Sequence, residues 1–444
     1  MWLDNLTKSF NKVQPFLPGY GHPLLRSLRQ NAFDQACHLN IPSVRQSEWK
    51  HARFDTLVNN DFAPCLHAEA KQTLKRIVPY IQTQSNDIHI VFVNGHYVAS
   101  LSSHPNGDSP VRLQSLARLA KTQPELLVDF QHRTTTDFFT LLNTAFCSDG
   151  AVVIIPEHIE VNHHIIIFHF LLNDTGPIMV HPQTFIHLGK HSKATIIEKT
   201  ISLESSHPGL FNSQTTLMCD NSAKCDYYHQ AMYHTNTLAF HRLNTILFAQ
   251  SLLNIYELAF GAHYQRHQMN LDLKESQAEL NCYGLLLPDA FEHCELVSFL
   301  HHYAPQGHSL QKIKSIIAES GHSSFLGNIA VNQAALQTQT LMINDNLLLG
   351  EKGQADSAPQ LEILADEVKC NHAASISQIA EQALFYLQTR GLDIEQARQL
   401  LLQAFANDML ANFPSVELRQ SFNNIILERL ARLQRGHHEH AIGR

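Results

Sequence analysis

The sequence predicts a mainly β protein with added α, a parallel β-helix between an N-terminal and a C-terminal helical region. Three observations point there. From Ala151 to about Val368 the chain is a succession of short β-like runs with no helix pattern of good length. Within it, four segments (IHLGKHSKATIIEK, TLMCDNSAKCDYYH, LDLKESQAELNCYG and IAVNQAALQTQTLM) each read strand, short polar turn, Ala, strand. Their alanines, Ala194, Ala223, Ala278 and Ala335, are separated by one, two and two multiples of roughly 28 residues, a period that fits stacked coils. Missing rungs are expected near Ala249–Leu258 and Ser309–Ile317. A β-sandwich, whose strands also alternate, is the competing architecture.

Taken in order, residues up to about 85 read as mainly helical. Leu24, Leu25, Leu28, Phe33 and Ala36 recur at helical spacing, and a second helix is expected over Leu66–Ile81. Ile88–Val93, Asn94-Gly95 and His96–Leu101 read as a hairpin with an N-G turn. Helices follow over Leu113–Ala120 and Asp137–Phe146. The expected organisation is residues 1–130 helical with a hairpin, 131–373 β-helix, and 374–444 helical.

Composition narrows the function. The 444 residues suffice for two or three cores. A net charge of −8 offers no basic face to nucleic acid. No apolar run is long enough to span a membrane, the N-terminus lacks a signal-peptide or transit-peptide pattern, and the 8 cysteines stand singly. A reduced, cytoplasmic protein is expected. Charged residues are only 16%, while His reaches 30.

The segment PQLEILADEVKCNHAASISQIAEQALFYLQTRG, Pro359 to Gly391, carries the densest chemistry. Leu361, Ile363 and Val368 alternate as a strand does. Ser375 and Gln378 read as a capping box opening a helix through Ile376, Ile379, Ala383, Leu384 and Leu387, with Gly391 ending it. Cys370 and His372 would then lie just ahead of a helix N-terminus, where the dipole favours thiolate. Catalysis, metal ligation and simple packing all remain open for the pair. Asp393 and Gln396 form a second capping box, before a helix of Ala397, Leu400, Leu401, Ala404 and Phe405. After Pro414, Ser415 caps a third helix ending near Gly436. These helices either cover the open edge of the β-helix or present a surface to a partner.

The run NLLLG…PQLEILADEVKCNHAAS…ALFYLQTRG…AR…AF, Asn346 to Met409, resembles the C-terminal signature of the SufB/SufD family of iron–sulfur cluster assembly proteins. Weaker matches lie at Ser47–Leu57, Val91–Gly95, Leu142–Pro156 and His302–Lys314, the last with His302, Pro305 and Ser309 in an H-x-x-P…S pattern. The resemblance implies a right-handed parallel β-helix with helical regions at both ends. Ala373, where SufB-type chains carry Glu, puts the chain nearer the SufD branch. Asn371, Ala373 and Ser375 depart from that branch's Ser, Gly and Thr. By resemblance the chain is a non-enzymatic scaffold. It pairs with a SufB-like subunit, docks a SufC-like ATPase, and shares a transient iron–sulfur cluster with its partner. It binds no nucleotide itself, having no phosphate-binding loop. A homodimer is one assembly open to the chain in isolation, and the sequence does not decide it. The rival readings are a β-helix enzyme and a stand-alone metal-binding protein.

Cys370 and His372 suit iron, but two ligands cannot complete a site of four. The pair is expected as a partial site whose other ligands come from a partner or from elsewhere in the fold, and the resemblance implies the partner. His302, Glu362 and Asp366 are secondary candidates. Phe385, Tyr386, Arg390 and Phe405 lie on the helices that resemble an ATPase-binding surface. His163-His164 and His301-His302 are poor shared sites, since adjacent strand residues face opposite ways. The tail residues His437, His438, Glu439 and His440 read as a weakly metal-binding end. Packing is the expected role of Cys219, Cys225, Cys282 and Cys294.

Overall fold

The computed structural model describes residues 2–66, 71–84, 86–103, 110–131 and 137–442, with side chains outside the description at 71–73, 129–131 and from 434 onward. Its centre is a parallel β-solenoid of about eight turns, with helices at both ends of the chain. Each turn supplies one strand to each of two sheets. One sheet runs from Gly150–Ile155 to Gln354–Ile363 and the other from Glu160–Leu171 to Lys369–Gln378, every neighbouring pair of these repeat strands being parallel. The two rungs expected to fill the repeat are present as Leu252–Phe260 and His308–Ile317.

The register explains the period. Lys224 pairs with Leu252, Leu252 with Glu279, and Glu279 with His308. Inward positions therefore stack in columns, and the residues between them face out. Ala194, Ala223, Ala278 and Ala335 are all buried in one core cluster that fills the space between the sheets. The corners need a left-handed residue, and none of these is glycine. His191, Ser222, Gln250, Gln277, Gln306, Gln337 and Glu367 all have φ between +56° and +60°. The amides of Gln250, Gln277, Gln306 and Gln337 donate from each to the next at 2.8–3.0 Å. That side-chain ladder accompanies a conformation that would otherwise favour Gly.

The start of the chain fits the expected order with local shifts. The hairpin of Ile88–Val93 and His96–Tyr97 turns at Asn94-Gly95, both at positive φ, and extends one sheet beside Glu160–Leu171. The helix expected over Leu113–Ala120 begins later, at Leu116, because Arg112–Ser115 pairs antiparallel with Gly150–Ile155. Asp137 caps Phe138–Phe146 through the Thr140 amide. Pro23–Leu39 buries Leu25, Ala32, Phe33 and Ala36 but leaves Leu24 outside.

At the other end, Asp393 and Gln396 form the expected reciprocal box at the start of Ile394–Leu410, and Ser415 accepts from the Leu418 amide ahead of Val416–Ile442. The buried stripe of Ile394–Leu410 is Ala397, Leu402, Ala406, Met409 and Leu410, so Leu400 faces out instead. These helices do not cover the solenoid's end. They lie on the outer face of one sheet, where Phe413 and Phe422 pack on Tyr228 and Phe413 on Tyr256. Asp408 meets Lys312 and Lys314 at 2.5 and 2.6 Å, and the Tyr256 hydroxyl donates to the Asn412 carbonyl at 2.9 Å. The last helix runs to Ile442, past the expected end at Gly436; the side chains of His437, His438, Glu439 and His440 lie outside the described ones. No helix among the described residues is long and apolar enough to cross a membrane.

Candidate functional site

The repeat stops at one rung, made of Gln354–Ile363 and Lys369–Gln378. Among the described residues each of these strands pairs on one side only, with His322–Val331 and Gln339–Leu348. The helix expected from Ser375 is strand instead. Ten residues of Lys369–Gln378 lock onto the ten of Gln339–Leu348, and the Ser375 hydroxyl donates to Asp345 at 2.7 Å rather than capping. The spacing of Ile376, Ile379 and Ala383 fitted a helix, but Cys370, His372, Ala374 and Ile376 fit a strand equally well. The helix begins at Glu381 and ends, as expected, at Gly391 with φ +95°.

Cys370 and His372 therefore sit within the ladder, near its start, two residues apart on one face. Cys370 pairs with Thr340 and His372 with Met342, both buried and inward-facing. The pair accordingly projects toward the space between the sheets, at its open mouth. Cys370 is half-buried against the lumen core, and His372 is exposed because no further rung covers it. The helix dipole does not act on Cys370. Burial instead pushes its thiol up from the ordinary value.

The secondary candidates do not join them. Glu362 is exposed on the opposite sheet, in register with Ala330 and, beyond it, His301, a column that faces outward. Asp366 is exposed in the corner between the two last strands. His302 is fully buried and inward. Its Nε2 lies 2.9 Å from the Ser309 hydroxyl, which donates to Thr340 at 2.7 Å, the residue beneath Cys370. Burial lowers His302 to about 4, so at neutral pH it is an uncharged prop behind Cys370. Its neighbour His301 faces outward, with Nδ1 3.2 Å from Asp272. His164 pairs with Asp87 at 3.1 Å. Cys219, Cys225, Cys282 and Cys294 are all buried, unbridged thiols.

A second surface lies on Glu381–Thr389. Phe385 and Tyr386 are 69% and 56% exposed, and Arg390 lies over the Tyr386 ring at 5.1 Å while donating to its hydroxyl. Phe405 does not share this surface. It is half-buried, with the Lys314 ammonium 4.3 Å above its ring.

Sequence reasoning missed two groups altogether, one of them His51, His322 and Asp356. The other is His229, Glu257 and His267, which lie inside the solenoid, 0–1% exposed, with their ligating atoms close together. The available signal was the repeat itself, since His229 and Glu257 are 28 residues apart, one rung.

Comparison with known proteins agrees with this architecture. Residues 170–405 match the SufBD core domain of the SUF iron–sulfur cluster assembly system, and residues 3–167 match the SufBD N-terminal region. An iron–sulfur cluster assembly SufBD family protein of Synechocystis is 28% identical over 419 residues, 92% of each chain. The iron–sulfur cluster assembly protein SufD of Escherichia coli is 24% identical over 405 residues, 90% of this chain and 92% of that one. SufB of Bacillus subtilis is 21% identical over 292 residues, 66% of this chain and 62% of its own. With a parallel solenoid, helices at both ends of the chain and a match over most of its length, the chain belongs to the SufBD family of iron–sulfur cluster assembly proteins.

Proposed function

We propose that the chain is the SufD-type scaffold subunit of a cluster assembly complex, and that Cys370 and His372 are its half of a site completed by a SufB-type partner. One observation carries this reading: a thiol and an imidazole project side by side from the last rung of the solenoid, which among the described residues pairs on one side only. Thiolate and imidazole are iron ligands, and two of them need a second donor set. The same rung offers backbone edges in both sheets and exposed Ile363, Leu364 and Ile376. Such an edge is a template for another β-structure. No ATP chemistry is assigned to this chain; a SufC-type ATPase docks on Phe385, Tyr386 and Arg390, an aromatic–Arg patch of the kind that anchors interfaces.

The test is reconstitution of the complex from this chain, a SufB-type subunit and a SufC-type ATPase. His372→Ala and Cys370→Ser should leave assembly intact and remove most of the cluster formed. Phe385→Asp with Tyr386→Asp should release the ATPase and spare the SufB-type contact. Ile376→Arg should do the reverse. Wild-type cluster yield from the Cys370/His372 double variant would end the half-site reading.

A further inference from the structure

We propose that His229, Glu257 and His267 form a binding site for one divalent transition-metal ion inside the solenoid, separate from the mouth at Cys370 and His372. His229 and Glu257 come from neighbouring strands of one sheet, and His267 reaches across from the other. His229 Nδ1 lies 2.9 Å from Glu257 Oε1, and His267 Nδ1 lies 3.0 Å from that same oxygen. Two imidazole nitrogens thus converge on one carboxylate oxygen.

The tautomer of His267 is fixed from behind. The Gln265 amide nitrogen donates to the Gly261 carbonyl at 2.9 Å, so its oxygen is the atom 3.0 Å from His267 Nε2. An oxygen there accepts, so Nε2 carries the proton. In the neutral ring Nδ1 is then a lone pair, aimed at a carboxylate oxygen, and it has no hydrogen-bond partner. Two lone pairs facing each other at 3.0 Å in a dry interior require a cation between them. A proton can bridge His267 to Glu257, whereas a metal ion bridges all three side chains. The imidazole that donates its far nitrogen to a carbonyl oxygen, here Gln265, is also the usual support of a metal-bound histidine.

The donor set fixes the class of ion. Two imidazoles and one carboxylate suit zinc or iron(II) and disfavour calcium or magnesium, which take oxygen ligands. The site is closed toward the mouth. The next residue in the Glu257 column is Gly284, and the space a side chain would occupy there is taken by Ile313 and Leu296. The ion therefore enters as the chain folds, tying the two sheets together through the lumen. This inference stands whether or not the chain pairs with a partner.

The experiment uses the full chain, unfolded with a chelator and refolded with or without zinc(II) or, anaerobically, iron(II). After desalting, the expected result is about one ion retained per chain and a melting temperature raised by about 5 °C or more over the metal-free chain. The Cys370→Ser/His372→Ala variant should retain the ion, and Glu257→Gln should lose it. Cobalt(II) in the site should show ligand-field bands without a thiolate charge-transfer band. The inference is overturned by equal melting temperatures with and without metal, by loss of the ion in the Cys370/His372 variant, or by a thiolate band. The melting comparison needs only the wild-type chain, so it decides the matter even if Glu257→Gln does not fold.

Discussion

The middle and the end of the solenoid share the same inward columns and treat the residues in them oppositely. Cys225 and Cys370 occupy one inward column, as do Cys282 and His372. In the middle, rungs on both sides enclose these positions, and burial drives the Cys282 thiol well up. At the end, one side is missing and the column becomes a mouth. The chemistry of a column is thus decided by whether a next rung exists, not by the residue in it. The polar groups divide the same way. Glu198 and Glu257 are buried carboxylates that burial alone would raise, yet His169 beside Glu198 and His229 beside Glu257 hold both well below the usual carboxylate range.

The strongest way to break this contrast is to cut one group from each end of it. Glu257→Ala leaves two imidazoles facing a void in the closed lumen and should cost about 3–5 kcal/mol in denaturant unfolding. His372→Ala removes an exposed ring and should change stability by less than about 0.5 kcal/mol. Equal costs would mean that the mouth is as much a part of the core as the middle.

A slightly smaller effect separates them by pH. In the unfolded chain His302 titrates near the ordinary 6.5, but folded it stays neutral down to about 4, mainly through burial and then through the neighbouring His308 and His301. Between those values the unfolded chain holds the extra proton, so stability rises with pH across the window and is lost on acidification. The contribution is up to about 3 kcal/mol. Unfolding measured between pH 4 and 7 should show a slope that flattens in His302→Gln. An unchanged slope would place the acid sensitivity elsewhere, for example at His181, His241 or His293, which burial also holds neutral.

Much of this architecture was legible in the sequence because a solenoid writes its period into the chain. Ala223 and Ala278 marked corners, and the two unseen rungs fell where the spacing put them. Family likeness, carried by Asn346 to Met409, pointed to the same fold. What misled was the last rung. Ser375 and Gln378 have the side chains of a capping box, and only the ladder offered by Gln339–Leu348 decides that they are strand. Local propensity yields there to a tertiary partner thirty residues upstream in sequence, as the Ser375–Asp345 bond shows. The lumen cluster was missed for the opposite reason. Glu257 sits in a mostly apolar run and His229 in a mixed one, and their meaning appears only when polar residues, not just alanines, are read at the repeat period.

The column pair itself gives a finer comparison. Cys225→Ser places a hydroxyl between Ala194 and Leu253, in the enclosed part of the column, and should cost about 1–3 kcal/mol, whereas Cys370→Ser at the mouth should stay within about 0.5 kcal/mol. Chemical denaturation of the two variants side by side checks this. A large loss for Cys370→Ser would make that thiol structural.

Alkylation sharpens the same pair without any mutation. In the native chain Cys370 should react with a small haloacetamide, while Cys225 should stay protected until the chain unfolds, as read by mass spectrometry of the labelled peptides. Both thiols are raised, Cys225 first by its contact with Cys219 and then by burial, Cys370 by burial alone. Only the thiolate reacts, so labelling of Cys370 should climb about tenfold from pH 7 to pH 8. A rate that has already levelled by pH 8 would show that something at the mouth stabilises the thiolate, contrary to its position in a strand and not at a helix N-terminus. Adding a SufB-type subunit should slow the labelling of Cys370 and leave Cys37 and Cys65, both in the N-terminal region, unaffected. Unslowed labelling in a complex that demonstrably forms would mean that the partner docks elsewhere and that the mouth is not the shared site.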